Sequence, residues 1–276
     1  MKNIDPRYSH DEIGKGKNPL AHFWRCFFKD FCIIFFGAGS LVLGVIVFPI
    51  LHLVLWNKVK FKKAAMAFTS LTFRFFVLFM EAGGLIRLKV YGKEKLKKIN
   101  SCIVIANHPS MLDMVFLISL IKNTDCIVRG NLTKTPLRFV IRQLYIVNTL
   151  GAEEMIELSK ESLATGTNIL IFPEGTRTPR HGLNPYKRGA AHIALQAKSD
   201  IIPVYIGGND KYGLGKNDPF FSFNPYEKHR YNLYVLDKIP IKEFLNEEEQ
   251  IASRRLTSRM HDVIADAAKK IDGRIL

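Results

Sequence analysis

Apolar and polar positions alternate in short blocks along most of the chain, and two long stretches near the start break that rhythm. From Phe31 to Trp56 no acidic or basic side chain occurs, and His52 is the one titratable group of note. As a helix rising 1.5 Å per residue this stretch measures about 39 Å, enough to enter or cross a bilayer. Gly37, Gly39, Gly44 and Pro49 permit a bend. A second stretch, Ala64 to Met80, carries Phe68, Phe73, Phe75, Phe76 and Phe79, but Arg74 and Glu81 suit it better to the membrane interface than to a full span. Ahead of both, the chain is polar to Asn18 and turns aromatic at Phe23-Trp24 and Phe27-Phe28, too long and polar a lead to begin a cleaved signal peptide. Residues 1–84 are therefore expected to form a polar tail and a two-helix membrane anchor, with a single spanning helix as the alternative. Basic residues flank the apolar stretch on both sides, Arg25 and Lys29 before it and Lys58, Lys60, Lys62 and Lys63 after it, so charge does not orient it.

From Leu85 onward the period changes. Strand-like runs at Ile86–Tyr91, Cys102–Ala106, near Cys126, at Leu144–Asn148, Asn168–Ile171, Ile201–Tyr205 and Tyr231–Leu236 alternate with helical patterns. The helices are expected from Pro109 to about Ile121, Glu153 to Ala164, Lys187 to Ala197, and along a C-terminal stripe of Leu256, Met260, Val263, Ile264, Ala267 and Ile271. Asn246 with Glu249 offers that last helix a variant capping box. Lys134 to Arg142 is basic with apolar residues between the charges, and Gly207 to Tyr226 reads as a long loop. Residues 85–276 thus form an α/β domain.

Composition adds a partner class. The 276 residues are 47% apolar, ample for a core, and the net charge of +15 points to an anionic surface or ligand. An anionic membrane and nucleic acid are the candidates. The aromatics gather in the apolar N-terminal region instead of alternating with Lys and Arg on a strand, which disfavours nucleic acid. Cys26, Cys32, Cys102 and Cys126 lack metal-ligand spacing and read as reduced, buried thiols facing a cytosol.

Candidate chemistry lies at the ends of two strands. Asn107-His108-Pro109-Ser110-Met111-Leu112-Asp113 follows the first, with Pro109 suited to the opening turn of a helix. His108 then sits off the helix, and Asp113, about one turn in, can reach back to its ring and leave the other nitrogen as a general base. Spacing alone does not decide this. His261 and Asp266 have the same separation inside one helix, where five residues turn through about 500° and leave the side chains roughly 140° apart. A strand-end His held by Asp for structural reasons remains open for the first pair taken alone. Phe172-Pro173-Glu174-Gly175-Thr176-Arg177-Thr178 follows the second strand; its glycine permits close backbone approach and Arg177 offers a planar fork to a phosphate.

Together these two blocks resemble the H-x4-D and F-P-E-G-T-R blocks of the membrane-associated glycerolipid acyltransferases, the 1-acylglycerol-3-phosphate acyltransferases and their relatives. The blocks stand in the family's order, about sixty residues apart, and the likeness covers roughly Leu85 to Pro240. Ile127-Val128-Arg129-Gly130 and Ile201-Ile202-Pro203-Val204-Tyr205 are weaker matches. The resemblance implies a mixed sheet flanked by helices and direct acyl transfer, with His108 oriented by Asp113 as catalytic base. It implies that the second block binds the acceptor, with Glu174 and Gly175 positioning it, Arg177 on a phosphate and Arg129 as a second phosphate ligand. Asn107 and Ser110 are candidates for shaping the oxyanion site. The implied acceptor is a lysophospholipid, above all 1-acylglycerol-3-phosphate, and the donor acyl-CoA or acyl-carrier protein; no cofactor, metal or covalent enzyme intermediate is required. The implied place is the inner, cytoplasmic membrane with the catalytic domain facing the cytoplasm.

The chain departs from the pattern at Thr178-Pro179-Arg180-His181 and Tyr205-Ile206-Gly207-Gly208, so another lipid or a specialised acyl product is an alternative substrate. A non-catalytic, membrane-anchored lipid-binding protein is the rival outside the enzymes. Gly213-Leu214-Gly215-Lys216-Asn217 lacks the spacing of a phosphate loop, and there is no G-x-S-x-G elbow. Ser110 as a nucleophile is rejected, since it would lie along the starting helix and not across from the base.

Overall fold

The computed structural model describes residues 5–10, 13, 14, 16–149, 151–182 and 184–273. A short 3-10 turn at Pro6–Tyr8 precedes α1, Pro19–Val42, which opens earlier than the charge-free stretch because Asn18 caps it by accepting from Ala21 N and Pro19 occupies its first position. The bend expected from Gly44 and Pro49 is a π-helical turn, Leu43–Val47, leading into α2, Phe48–Val54. After the Asn57 cap comes α3, Lys58–Ala82, longer at both ends than the aromatic stretch. Pro19–Val54 and Lys58–Ala82 are both long and apolar enough to cross a membrane. Leu20, Ile34, Leu53, Leu71 and Phe75 are exposed on them, as lipid-facing positions would be.

Lys29, just ahead of the charge-free stretch in α1, is not a free basic group. Lys29 is buried, pairs with Asp30 at 2.8 Å and donates to the carbonyl of Phe220. The N-terminal segment is also more than a tail: His10 packs on Tyr212, and Gly14 and Gly16 pass so close to Tyr226 and Pro225 that a Cβ would collide. Boundaries near residue 84 thus mark a change of composition, not of contact. Part of the tail, residues 1–4, 11, 12 and 15, lies outside the described residues.

The domain follows as β1 (Ile86–Tyr91), α4 (Lys93–Lys97), β2 (Ile103–Ala106), α5 (Asp113–Leu120), β3 (Thr124–Val128), a 3-10 turn, α6 (Arg138–Leu144), β4 (Ile146–Val147), α7 (Ala152–Ala164), β5 (Asn168–Ile171), α8 (Gly189–Ala197), β6 (Ile201–Gly208), β7 (His229–Val235) and α9 (Glu249–Asp272). The seven strands lie in the order β1-β7-β6-β2-β5-β3-β4. All neighbours run parallel except β6 and β7, so the sheet is mixed. One face packs with α1, α3 and α5 through Phe76, Phe116, Val104 and Leu233; the other packs with α8 and α9 through Ile105, Ile171, Tyr205 and Leu256. Burial on both faces explains why β2, and β5 after Asn168, are continuously apolar.

Several local expectations are corrected. The helix after His108 begins at Asp113, not Pro109, because Ser110 Oγ takes the N–H of Leu112 and holds residues 110–112 in a turn. Glu248, not Asn246, precedes α9, and no side chain caps it. The basic segment splits into the 3-10 turn, Gly130–Lys134, and α6. The loop before β7 starts only after Gly208, since β6 runs on to pair with β7. Four of the six stripe residues of α9 are buried, whereas Val263 is half-buried and Ile271 exposed. All four cysteines are free, and Cys102 is only half-buried.

Candidate active site

The register of the sheet brings the two blocks together. Ile105 pairs with Ile171 across β2 and β5, so the chain leaves both strands at the same edge and the segments that follow run side by side. The carboxyl ends of parallel strands are where open α/β sheets place their sites.

His108 Nδ1 lies 2.9 Å from Asp113 Oδ2. Asp113 is fully buried and also accepts from Ser110 N at 2.8 Å and Ser110 Oγ at 2.7 Å. Its place as the first residue of α5 adds the favourable field of a helix N-terminus. With the carboxylate accepting, Nδ1 carries the ring proton and Nε2 is left as a base. Nε2 makes no hydrogen bond to the described residues, and the side chain is 21% exposed. Phe172 stacks on the imidazole, centroids 4.2 Å apart, and fixes its plane.

The main chain of His108 is held just as firmly. Its N–H donates to Thr178 Oγ1 at 2.8 Å and, at 3.3 Å, to Glu174 Oε1; its carbonyl accepts from Thr178 N at 2.7 Å. Thr178 Oγ1 in turn donates to Glu174 Oε1, and Asn184 Nδ2 donates to Oε2 at 2.9 Å. Glu174 is 3% exposed, and burial raises its pKa against the lowering effect of these bonds. Both its oxygens are used inside the protein. In this arrangement Glu174 braces the backbone of His108.

Two further polar side chains of the first block make hydrogen bonds inside the protein. Asn107 is buried and spends its amide on Ile206, donating to the carbonyl at 2.9 Å and accepting from N–H at 2.7 Å, which clamps the end of β2 to β6. Ser110 is fully buried on Asp113. Both donors of Ser110 are thus used on Asp113, and Asn107 gives one of its two amide hydrogens to Ile206.

Basic groups collect on the open side of the second block. Gly175 has φ +62°, a conformation that favours glycine, and its carbonyl accepts from Arg129 Nε at 2.8 Å and from Arg129 Nη2. A Cβ there would stand 3.1 Å from Lys187 Nζ. Arg177 Nη1 donates to the carbonyls of Leu214, at 3.1 Å, and Gly215, while its Nε and Nη2 make no hydrogen bond to described residues. That free edge is the bidentate one. Arg180, by contrast, is consumed by Asp210 and Asp218. His261 reaches only Asp262, at 3.3 Å, and not Asp266.

Sequence reasoning missed Asn184, Lys187 and Tyr8. Tyr8 is 2% exposed, donates to the carbonyl of Arg177 at 2.9 Å and accepts from Asn184 Nδ2 at 3.0 Å. A lone tyrosine in a polar stretch carries no signal; only the following turn, with Pro6 after an Asp cap, marks local structure there. Among the described residues no group of three or more His, Cys, Asp or Glu is placed to hold a metal.

Residues 87–207 match the family model described as Acyltransferase. The chain is 27% identical over 131 residues to human 1-acyl-sn-glycerol-3-phosphate acyltransferase beta, covering 43% of this chain and 46% of that one. It is 32% identical over 146 residues to 1-acyl-sn-glycerol-3-phosphate acyltransferase of Saccharomyces cerevisiae, 46% of each. The matches thus span about half the length of these relatives. The crystal structure of a 1-acyl-sn-glycerophosphate acyltransferase from Thermotoga maritima superposes with a TM-score of 0.65 at 22% identity, covering 92% of this chain and 97% of that one; the likeness is one of fold.

Proposed function

With residues 87–207 matching the Acyltransferase family model, we propose that the chain is a glycerolipid acyltransferase that moves a fatty acyl group from an acyl thioester to the free hydroxyl of a lysophospholipid, with 1-acylglycerol-3-phosphate as acceptor and phosphatidate as product. The observation that carries this reading is His108, with Nδ1 on the buried Asp113 and Nε2 unbonded, beside Arg129, Arg177 and Lys187.

In this mechanism Nε2 takes the proton of the acceptor hydroxyl as its oxygen attacks the thioester carbonyl. A C–O bond forms, the carbonyl becomes an oxyanion, and its collapse breaks the C–S bond. The imidazolium, stabilised by Asp113, returns the proton to the departing sulfur. The free edge of Arg177 and the Lys187 ammonium hold the acceptor phosphate, and Arg129 holds the Gly175 carbonyl that shapes the same loop. The apolar helices Pro19–Val54 and Lys58–Ala82 support a site at a bilayer surface, read here as the cytoplasmic one, where lysophospholipid and thioester would meet. Acyl-CoA and acyl-carrier protein are both anionic, and the net charge of +15 suits either.

The test is thiol release from palmitoyl-CoA and from palmitoyl-carrier protein by detergent-purified protein, with and without lysophosphatidate, alongside His108→Ala. Release that requires both lysophosphatidate and His108 is expected and names the donor. Release unaffected by His108→Ala would remove the assigned base, and no release with any lysophospholipid would favour a lipid-binding protein.

A further inference from the structure

A second feature lies apart from His108. Along the edge strand β1, Arg87, Lys89 and Tyr91 share one exposed face. Their partners on β7 are Arg230, Asn232 and Tyr234. These rows floor a groove of ≈ 460 Å³, walled by Gly208, Asn209 and Asp272, a size that suits a small molecule.

Its charge is unbalanced. Arg87 and Arg230 stand at paired positions, and like charges on neighbouring strands repel. Neither Arg87 nor Lys89 has a hydrogen bond or ion pair among the described residues; Arg230 meets Glu227 at 2.9 Å in an exposed pair. The wall carboxylate, Asp272, accepts from Tyr205 Oη at 2.7 Å and Gly208 N at 3.0 Å, so its charge is already shared with two donors. A bound anion would relieve the repulsion. Beyond the cations, Tyr91 stacks on Tyr234 with centroids 4.6 Å apart and planes 6° from parallel. Because β1 is the sheet edge, the other face of Tyr91 is open to a flat ring.

The groove is joined to the site. Arg87 and Arg230 open β1 and β7 at the end of the sheet where β2 finishes, two to three strand spacings across from it and five residues further along by the β6 register, about 20 Å in all. Gly208 and Asn209 line the groove, and the next residues, Asp210 and Lys211, line the cleft beside Pro109. The rows belong to the sheet face that packs with α9, while α1 and α3 pack on the other. A soluble ligand therefore fits better than a lipid headgroup.

We propose that this groove binds a nucleotide, with Arg87, Lys89 and Arg230 on its phosphates and Tyr91 on its base. Resting on the acyltransferase reading above, that nucleotide is the one ending a coenzyme A thioester, whose acyl end would reach back along the sheet edge to His108.

The full chain in detergent would be titrated with coenzyme A by calorimetry, at low and high salt. The comparison variants are Arg87→Ser/Lys89→Ser, Tyr91→Ala and, should the double variant melt early, Lys89→Gln. Each charge-assisted bond lost should weaken binding by about tenfold, and salt should weaken the wild type more than the double variant. Binding of 4′-phosphopantetheine should change less. The KM for palmitoyl-CoA should rise by a similar factor, and that for palmitoyl-pantetheine by less. Coenzyme A binding without turnover would sink the acyltransferase reading and leave the groove standing. Absent or unaltered coenzyme A binding would overturn the groove proposal. So would variants that lose only anionic vesicles, a carrier protein or an oligonucleotide.

Discussion

Tyr8 donates its phenolic hydrogen to the main-chain oxygen of Arg177 at 2.9 Å, 169 residues along the chain. Through Asn184 the contact continues to Glu174, and from Glu174 to the N–H of His108. The segment ahead of the apolar helices is therefore built into the support of the candidate base. Tyr8→Phe removes two hydrogen bonds, the one to Arg177 and the one from Asn184, at about 1 kcal/mol each, and should lower kcat by at least about fivefold. Vesicle flotation should be unchanged, since no apolar helix is touched. Unaltered kcat with a lowered melting temperature would reduce Tyr8 to a structural tie.

Asp113→Asn keeps size and replaces an acceptor with an amide. The two Ser110 donors and His108 Nδ1–H would then compete for one oxygen, and the imidazolium would lose its counter-charge. Turnover should fall by about 10²–10⁴-fold, with KM for lysophosphatidate little changed, as read from initial rates.

Asn107→Ala separates a structural clamp from an oxyanion donor. The clamp predicts that Ile206 N–H and C=O, both in the buried strand β6, lose their partner, at about 2 kcal/mol or more of stability. Denaturant melts would show the loss. A variant of normal stability whose kcat drops by about 10²–10³-fold would instead restore the oxyanion role.

Arg177→Lys keeps the charge and loses the free fork edge. KM should rise by about tenfold for lysophosphatidate and much less for a neutral monoacylglycerol. An equal rise for both would mean that Arg177 serves only to brace the carbonyls of Leu214 and Gly215.

His229 is fully buried, with Nδ1 donating to Asp210 O at 3.1 Å. Burial, and then the charge of Lys211, hold its pKa well below the usual histidine value. Below about pH 6.5 the unfolded chain takes up a proton that the folded chain refuses, so stability present at neutral pH is lost as pH falls, by up to about 1.4 kcal/mol per pH unit. Melting temperatures between pH 7 and pH 5 should fall more steeply in the wild type than in His229→Asn, which cannot titrate there.

Local chemistry made much of this legible beforehand. β1, β2 and β5 were readable from short apolar or alternating runs, and the helix ending at Ala164 from its stripe. His108 and Asp113 were readable as a pair because a histidine off the helix and a carboxylate at its start can meet within one turn. Asn107 and Ser110 are ambiguous in the sequence because the same polar side chains serve an oxyanion or a backbone clamp equally well. Which they serve depends on whether a buried carbonyl or carboxylate lies within reach, and for Asn107 that partner is 99 residues away.

By itself, then, the sequence determined the apolar helices, the alternation of strand and helix, and the residue types at two strand ends, since these follow from periodicity and side-chain chemistry within a few residues. Only the tertiary structure decided which of those polar groups face outward. The β2–β5 register set Glu174 behind His108 instead of in front of it. The mixed pairing of β1, β7 and β6 gathered Arg87, Arg230 and Tyr91 into one groove, and the N-terminal turn carried Tyr8 to Arg177. Hydrogen bonds and charge act over a few ångströms of space, and the chain's order does not record that distance.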